Sequence, residues 1–276
     1  MQYLRSESSS TNDPEGIMIS YDFQAGSYIK TAEANKEYFD KYTAAIERVL
    51  NKLGQFTSIL EVGVGEATVM TPLLKKISKE REGLKSFGFD ISWSRIHYAK
   101  RYSAGQNVSI DLFTGNLFNI PLPDNSVDIV YTSHSLEPNG GREKEALQEL
   151  YRVASKYIVL LEPSFEFATD EGKARMESHG YIKFINKYAQ DLGYKVIEHR
   201  LFDCFINPLN PTGLTIIEKQ GVEKNEPELV CPITKSKLVP VKGVLYSTEC
   251  LILYPVVDGI PCLLAENGIL ATHFNS

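Results

Sequence analysis

The chain is short of the features that would place it in several broad classes. Its 276 residues hold four cysteines, Cys204, Cys231, Cys250 and Cys262, and no Cys-x-x-Cys pair. That removes the plainest signature of a zinc knuckle or a dithiol redox site, and it suits a reducing compartment where thiols stay free. No apolar run is long enough to span a bilayer. The first residues carry one arginine and then a polar serine run, without the apolar core of a signal peptide, so a cytoplasmic location is expected. Positive charge is also scarce. Lys and Arg number 29 against 35 Asp and Glu, a formal net charge of −6, which argues against a general surface for nucleic acid or anionic membrane. The remainder is ordinary for a globular chain, 43% hydrophobic and 23% charged, and long enough for one large or two modest domains.

What is present is organised around Ser58-Ile59-Leu60-Glu61-Val62-Gly63-Val64-Gly65-Glu66-Ala67-Thr68. It reads as a buried strand, a tight turn and the approach to a helix. Glycine is needed where backbone bends through unusual φ/ψ or lies close to a ligand, and a helix start offers free N–H groups to a ligand's polar end. The spacing is not the G-x-G-x-x-G of a dinucleotide fold, because an acid stands two residues before the first glycine.

The rest of the chain supplies strands and helices in alternation. Residues 1–16, centred on the polar run from Ser6 to Glu15, read as a flexible tail. A compact aromatic segment follows, Tyr21-Asp22-Phe23-Gln24-Ala25-Gly26-Ser27-Tyr28. It suits either a packed cap or a lid over a site. Residues 32–53 carry Tyr38, Tyr42, Ile46, Val49, Leu50 and Leu53 at helical spacing. A helix is expected over 69–78, with Pro72 tolerable in its first turn. The next strand, 86–92, ends in Asp90, about where a βαβ unit puts the tip of its second strand. A carboxylate there can accept both ribose hydroxyls of an adenosine, or Asp90 and Ser92 can cap a helix over 95–102. Further strands are expected at 108–112, 128–134 and 157–163, helices at 143–153 and 171–192, and a closing pair of strands at 195–202 and 214–219. This order implies an α/β fold, a seven-stranded, mostly parallel sheet with one antiparallel strand and helices on both faces.

The ordered motifs carry a resemblance. Glu61-x-Gly63-x-Gly65-x-Ala67 resembles motif I of class I S-adenosylmethionine methyltransferases, a Rossmann-like family. The Tyr21–Tyr28 segment, the run Leu122-Pro123-Asp124-Asn125-Ser126-Val127-Asp128, and Ser133-His134-Ser135-Leu136-Glu137 are similar to those of the ubiquinone and menaquinone methyltransferases. The likeness covers roughly residues 17–220, and a methyltransferase domain is expected over 17–222. The likeness implies S-adenosylmethionine as cofactor and S-adenosylhomocysteine as product. Glu61, Gly63 and Gly65 are then to shape the methionine end of the pocket and Asp90 to take the ribose. Ile91, Asn116 and Leu117 are to frame the adenine. Ser133 is to stand by the reacting methyl, and Tyr21 and Tyr28 are to close over the cofactor. Asn116 occupies a place where the family usually has Asp, and its carbonyl oxygen is to accept from the adenine amino group. Pro138 replaces the family's second histidine. His134 and Glu137 are the candidates for a catalytic base, against a reading in which they only pack or hydrogen-bond there.

After a polar linker at 220–228, residues 228–276 are a different object. Cys231-Pro232 and Tyr254-Pro255-Val256-Val257-Asp258-Gly259-Ile260-Pro261 resemble small zinc-ribbon proteins whose relatives bind and stabilise methyltransferases acting on tRNA and translation factors. The ribbon positions read Cys231, Thr234, Ser247 and Cys250, so two thiolates remain where four ligands are needed, and no metal is expected. A β-rich module of about fifty residues without metal is marginal alone, so it is expected to dock on its own larger domain or on a partner subunit.

Three functions follow. One is a methyltransferase for a small-molecule acceptor, a metabolite or sugar precursor with an O, N or C nucleophile. The second is a tRNA or protein methyltransferase with a built-in activator module, a reading that the missing Asn-Pro-Pro-Tyr-like tetrad after the fourth strand and the acidic charge disfavour. The third, a non-catalytic scaffold with the same fold, conflicts with the intact Glu61, Gly63, Gly65 and Asp90.

Overall fold

The computed structural model describes residues 14–274. Most of the expected tail, residues 1–13, lies outside the described residues, and Pro14 already opens the first helix, α1 (Pro14–Phe23). Next come α2 (Ser27–Ala34), α3 (Lys36–Lys52), β1 (Ser58–Val62), α4 (Met70–Ile77), β2 (Lys85–Asp90), α5 (Trp93–Gly105) and β3 (Asp111–Thr114). The domain continues with β4 (Val127–Ser133), α6 (Glu143–Val153), β5 (Ala154–Pro163), α7 (Asp170–His179), α8 (Ile185–Asp191), β6 (Lys195–Leu201) and β7 (Thr212–Glu218). The sheet order is β3-β2-β1-β4-β5-β7-β6, and β7 alone runs antiparallel to its neighbours.

Strands β1 and β4 are buried almost throughout because helices cover both faces. On one face α3, α4 and α5 place Ile46, Leu50, Leu73 and Ile96 against Ile59 and Ile129. On the other, Leu147 and Leu150 of α6 and Ala189 of α8 meet Leu60, Val130 and Ile158. At about 25 cal/mol per Å² of apolar surface removed from water, these two layers are the main favourable contribution to the fold.

Three expected elements differ. The helix expected over 32–53 is two helices, because the Asn35 side chain turns back onto Thr31 O (2.9 Å) and competes with the helical backbone. The one expected over 171–192 breaks at Gly180. It sits at φ 65°, with Tyr181 N–H donating to Met176 O and Gly180 N–H to Glu177 O, a Schellman ending. The third strand begins at Asp111 rather than Val108, since the Val108 N–H is spent on Ser103 O in closing α5.

The C-terminal strands β8 (Val239–Val241), β9 (Val244–Ser247), β10 (Ile252–Val257), β11 (Ile260–Pro261) and β12 (Ile269–Leu270) form a second, antiparallel sheet. It docks on the large domain in three ways. Cys262 bridges Thr114 in parallel register at the β3 edge, and Leu263 N–H donates to Thr114 O (3.1 Å). Val230 N–H and Lys235 Nζ donate to Pro121 O (3.1 Å) and Ile120 O (3.0 Å). Cys231, Leu238, Tyr254 and Leu263 belong to the same continuous core as Leu60 and Phe113. The linker is also fastened, with Lys224 Nζ 2.9 Å from the buried Asp128 carboxylate and Asn225 N–H donating to Asn125 O. No described helix is long and apolar enough to cross a membrane.

Candidate functional site

The first glycine turn leaves β1 in a left-handed path, with Gly63 at φ 67° and Gly65 at φ 55°. A Cβ on Gly63 would come within 2.4 Å of the Ser135 Cβ, so this position has no room for a side chain. Val64 N–H donates to Phe89 O (2.8 Å) and Gly65 N–H to Asp90 Oδ2 (3.1 Å), which fixes the turn to the end of β2. Asp90 Oδ1 takes the Ser92 N–H (2.9 Å), and Ser92 Oγ caps α5 by accepting from Arg95 N–H. Burial pushes the Asp90 carboxyl above its usual range, against the opposing pull of Arg95 and these backbone donors. Of the roughly four lone-pair sites of the Asp90 carboxylate, the backbone donors Gly65, Ser92 and Ile91 leave one for a ligand.

A cavity of about 350 Å³ opens at the C-terminal ends of β1, β2 and β4, where β1 separates the two halves of the sheet. All the residues singled out in the sequence line it: Tyr21, Tyr28, Glu61, Gly63, Gly65, Asp90, Ile91, Asn116, Leu117, Ser133, His134 and Glu137. Tyr38, Tyr42, Glu66 and Arg95 join them, and sequence reasoning gave none of these four a place in the site. Tyr38 and Tyr42 show only as apolar positions on a helix. In space they stack at 5.8 Å, and the Tyr42 hydroxyl lies 2.9 Å from Ser133 Oγ.

The aromatic segment 21–28 stands over the cavity and is held there at two points. Glu66 accepts from the backbone N–H groups of Gly26 (2.8 Å), Tyr28 (3.2 Å) and Ile29 (2.8 Å), at the N-terminus of α2. Asp22 Oδ1 accepts from Ser92 Oγ (2.7 Å) and Ser94 N–H (3.2 Å). Gly26 sits at φ 91° with its α-carbon against the Tyr98 ring. The Arg95 guanidinium lies over both the Tyr21 and Tyr28 rings, 4.5 and 4.2 Å from their centroids.

The buried acids differ in their partners. Glu61 accepts from the Tyr131 hydroxyl (2.7 Å), and burial pushes its carboxyl up to about 8. Glu162 is pushed up to about 7 by burial. Its Oε1 takes the N–H groups of Ser135 and Leu136 and so holds the loop after β4. His134 occupies the left-handed region at φ 55°. Its Nδ1 meets Glu137 Oε2 (3.1 Å) and its Nε2 meets Thr212 Oγ1 (2.8 Å), so both ring nitrogens already have partners. Burial works to lower the imidazole's pKa, but the Glu137 hydrogen bond and charge outweigh it and raise it; the same pair holds Glu137 down against its own burial.

Asn116 differs from its expected use. Its Oδ1 accepts from Phe118 N–H (2.9 Å), closing an Asx turn, so the carbonyl keeps only one lone pair for any ligand. The four ribbon positions do converge in the small module. Cys231 Sγ lies 3.7 Å from Cys250 Sγ and 3.3 Å from the Tyr254 hydroxyl. Ser236 Oγ bridges to Thr234 (2.7 Å) and Ser247 (2.6 Å). Hydrogen bonds between hydroxyls and thiols fill the cluster. Among the described residues no group of three or more His, Cys, Asp or Glu could hold a metal ion.

Residues 59–156 match the family described as a methyltransferase domain, and residues 229–259 match the Trm112p-like protein family. No curated protein matches the chain. Among solved structures the chain is similar to magnesium protoporphyrin IX methyltransferase from Synechocystis PCC 6803 with bound S-adenosylhomocysteine. Identity is 12% and the TM-score 0.54, over 73% of this chain and 99% of the other. It is similar at 16% identity and TM-score 0.53 to a chain of the complex between the Haloferax volcanii Trm112 methyltransferase activator and a candidate methyltransferase, over 72% and 96% of the two chains. The [4+2]-cyclase SpnF aligns at 12% identity and TM-score 0.50, over 63% and 80%. At these identities the likeness establishes the fold, a Rossmann-like methyltransferase architecture, and a cyclase among the neighbours means that the fold alone names no reaction.

Proposed function

We propose that the chain binds S-adenosylmethionine in the 350 Å³ cavity and transfers its methyl group to a small-molecule acceptor, residues 17–222 forming the catalytic unit. The observation that carries this is the left-handed Gly63–Gly65 turn hydrogen-bonded to Asp90, with Glu61 beside it, on the tips of adjacent strands. The residues present suit the cofactor. Asp90 offers a lone pair to a ribose hydroxyl, and Ile91 and Leu117 offer apolar walls to the adenine. Glu61 offers a carboxylate to the methionine ammonium.

When bound, the cofactor supplies an electrophilic methyl on a sulfonium centre. The protein's share is to orient the acceptor and exclude water, which the fastened segment 21–28 and the Tyr38–Tyr42 wall are placed to do. His134 acts by positioning, since a proton taken at Nε2 has to displace Thr212 and one at Nδ1 has to displace Glu137. A small acceptor suits a cavity roofed in this way.

A second reading, a macromolecular acceptor served by a built-in activator, is favoured by one contact set. The C-terminal module holds residues 114–121, the stretch containing Gly115, Asn116 and Leu117, through Leu263, Lys235 and Val230. Calorimetry with S-adenosylhomocysteine tests the shared premise. The expected result is binding that Asp90→Ala weakens by about 1–3 kcal/mol, and no binding at millimolar ligand overturns it. Methyl transfer to small metabolites, rather than to tRNA or protein fractions, separates the two readings.

A further inference from the structure

A second cavity, of about 570 Å³, lies where three parts of the chain meet. It is walled by Phe23 of α1, by Trp93 at the start of α5 and Thr114 at the end of β3, and by Val257 and Leu264 of the C-terminal module. It shares only Ile91 with the first cavity. Two polar atoms of this wall are unspent. Trp93 Nε1 and Thr114 Oγ1 are buried, and neither has a hydrogen-bond partner among the described residues. Thr114 is 2% exposed. The indole is held in place by the His97 ring, which stacks on it with 5.1 Å between centroids and lies 3.2 Å from Asp258 of the module. A buried N–H or hydroxyl without a partner is costly, since water is lost and nothing replaces it. Apolar walls with a few placed polar groups are what a small-molecule site offers.

We infer that this second cavity is a separate ligand site, which takes a neutral apolar ring compound carrying a carbonyl oxygen. The oxygen is called for by the indole N–H, which only donates, and the Thr114 hydroxyl can donate as well. Neutrality follows from the charges on the wall. No lysine or arginine lines it, and its one acid, Asp22, repels an anion. Ser92 Oγ (2.7 Å) and the Ser94 N–H (3.2 Å) already donate to Asp22, so it calls for no cation. Burial pushes the Cys262 thiol up, so it adds no charge. A ring suits the apolar part of the wall. Phe23 is 89% exposed and Val257 46% exposed, and a ring laid against them and Trp93 removes that surface from water. A ligand there touches α1, the large sheet and the module at once, so the site is complete only with the module docked. It stands whether or not S-adenosylmethionine fills the first cavity.

Trp93 is the chain's single tryptophan, so the one indole N–H signal in a nitrogen–proton correlation spectrum of the full chain reports on this cavity. The probe is acetophenone, a neutral aromatic ketone, and the comparison is ethylbenzene, the same carbon skeleton without the oxygen. Acetophenone is expected to move the indole signal downfield and to saturate with a Kd on the order of 1 mM, as for a fragment of this size. It is expected to bind about tenfold more tightly than ethylbenzene, the worth of a hydrogen bond to a buried donor. Val257→Phe, which fills the cavity from the side of the module, is expected to abolish the acetophenone shift while the rest of the spectrum keeps its dispersion. No movement of the indole signal at the solubility limit of acetophenone overturns the inference. Equal binding of the two probes overturns it as well, the mark of unspecific apolar adsorption, and so does a shift that survives Val257→Phe undiminished. The comparison of the two probes on the wild-type protein decides the matter even where the variant fails to fold.

Discussion

Glu66, one residue past the glycine turn, accepts a 2.8 Å hydrogen bond from the backbone N–H of Gly26, forty residues earlier in the chain. With Tyr28 and Ile29 donating to the same carboxylate, one side chain ties the roof of the cavity to its floor. Glu66→Ala is expected to release residues 21–29, raising amide exchange there, and to weaken S-adenosylhomocysteine binding by about tenfold, the worth of a charged hydrogen bond. Unchanged exchange in this segment shows that packing alone holds it.

Glu61 gives a prediction in pH. Its carboxyl rises from 4.5 to about 8 on folding, mainly by burial. The folded state thus holds a proton that the unfolded chain has released between those values. Its contribution to stability is fully present below 4.5 and is lost as pH rises through 8. Thermal melting of the ligand-free protein should therefore show a decline between about pH 5 and 8 that levels off above it and is smaller in Glu61→Gln. A ligand ammonium favours the ionised carboxylate, so binding at pH 7 should release most of a proton from wild-type protein and less from the variant. Calorimetry in buffers of different ionisation heat measures that release.

His134 is expected to tolerate replacement better than a proton acceptor in direct use. His134→Asn can keep one of its two contacts, to Glu137 or Thr212, and should lower kcat by about tenfold or less, well short of the 10²–10⁴ that general-base catalysis typically contributes. The shape of the kcat–pH profile should be the same in the variant as in the wild-type protein. An acid limb present in the wild-type profile and lost in the variant, together with a fall beyond a thousandfold, returns His134 to the role of base.

The small module is expected to be metal-free and dependent on its docking. Elemental analysis should find no zinc, whereas about one zinc per chain, removed by chelator with loss of structure, overturns this. Residues 228–276 expressed alone should give poor dispersion in NMR spectra, because Cys231, Leu238, Tyr254 and Leu263 complete their packing only against the large domain.

Much of this was legible in the chain itself. The order of strands and helices could be read, because each buried strand is an apolar run bounded by turn residues, and Gly63, Gly65 and Asp90 fall at intervals that a βαβ unit dictates. Ten of the twelve site residues reach one cavity for the same reason, since they sit at or just past strand ends that the topology gathers, while Tyr21 and Tyr28 come to it on the N-terminal helices. Arg95 and Glu66 were not legible as site residues. Each acts through a partner on the N-terminal segment, and a salt-bridging face is what a lone charge on a helix or turn suggests by default. The double breaks at Asn35 and Gly180 escaped because apolar spacing continues across them while the backbone does not. The fit of the module was legible only as a need for docking, as nothing local in Cys262 or Thr114 announces their pairing.

That pairing has a consequence at the edge of the large sheet. β3 is the end strand of the large sheet, and its outer row of N–H and C=O groups is an open template for another chain. The segment around Cys262 and Leu263 occupies part of that row with the molecule's own backbone. Tethered in the same chain, it is present at a high local concentration from the moment the chain is complete, so a foreign strand must compete with it at every encounter. At Thr114 the open edge of the large sheet is thus closed by backbone that cannot diffuse away, unlike a cover lent by a separate subunit.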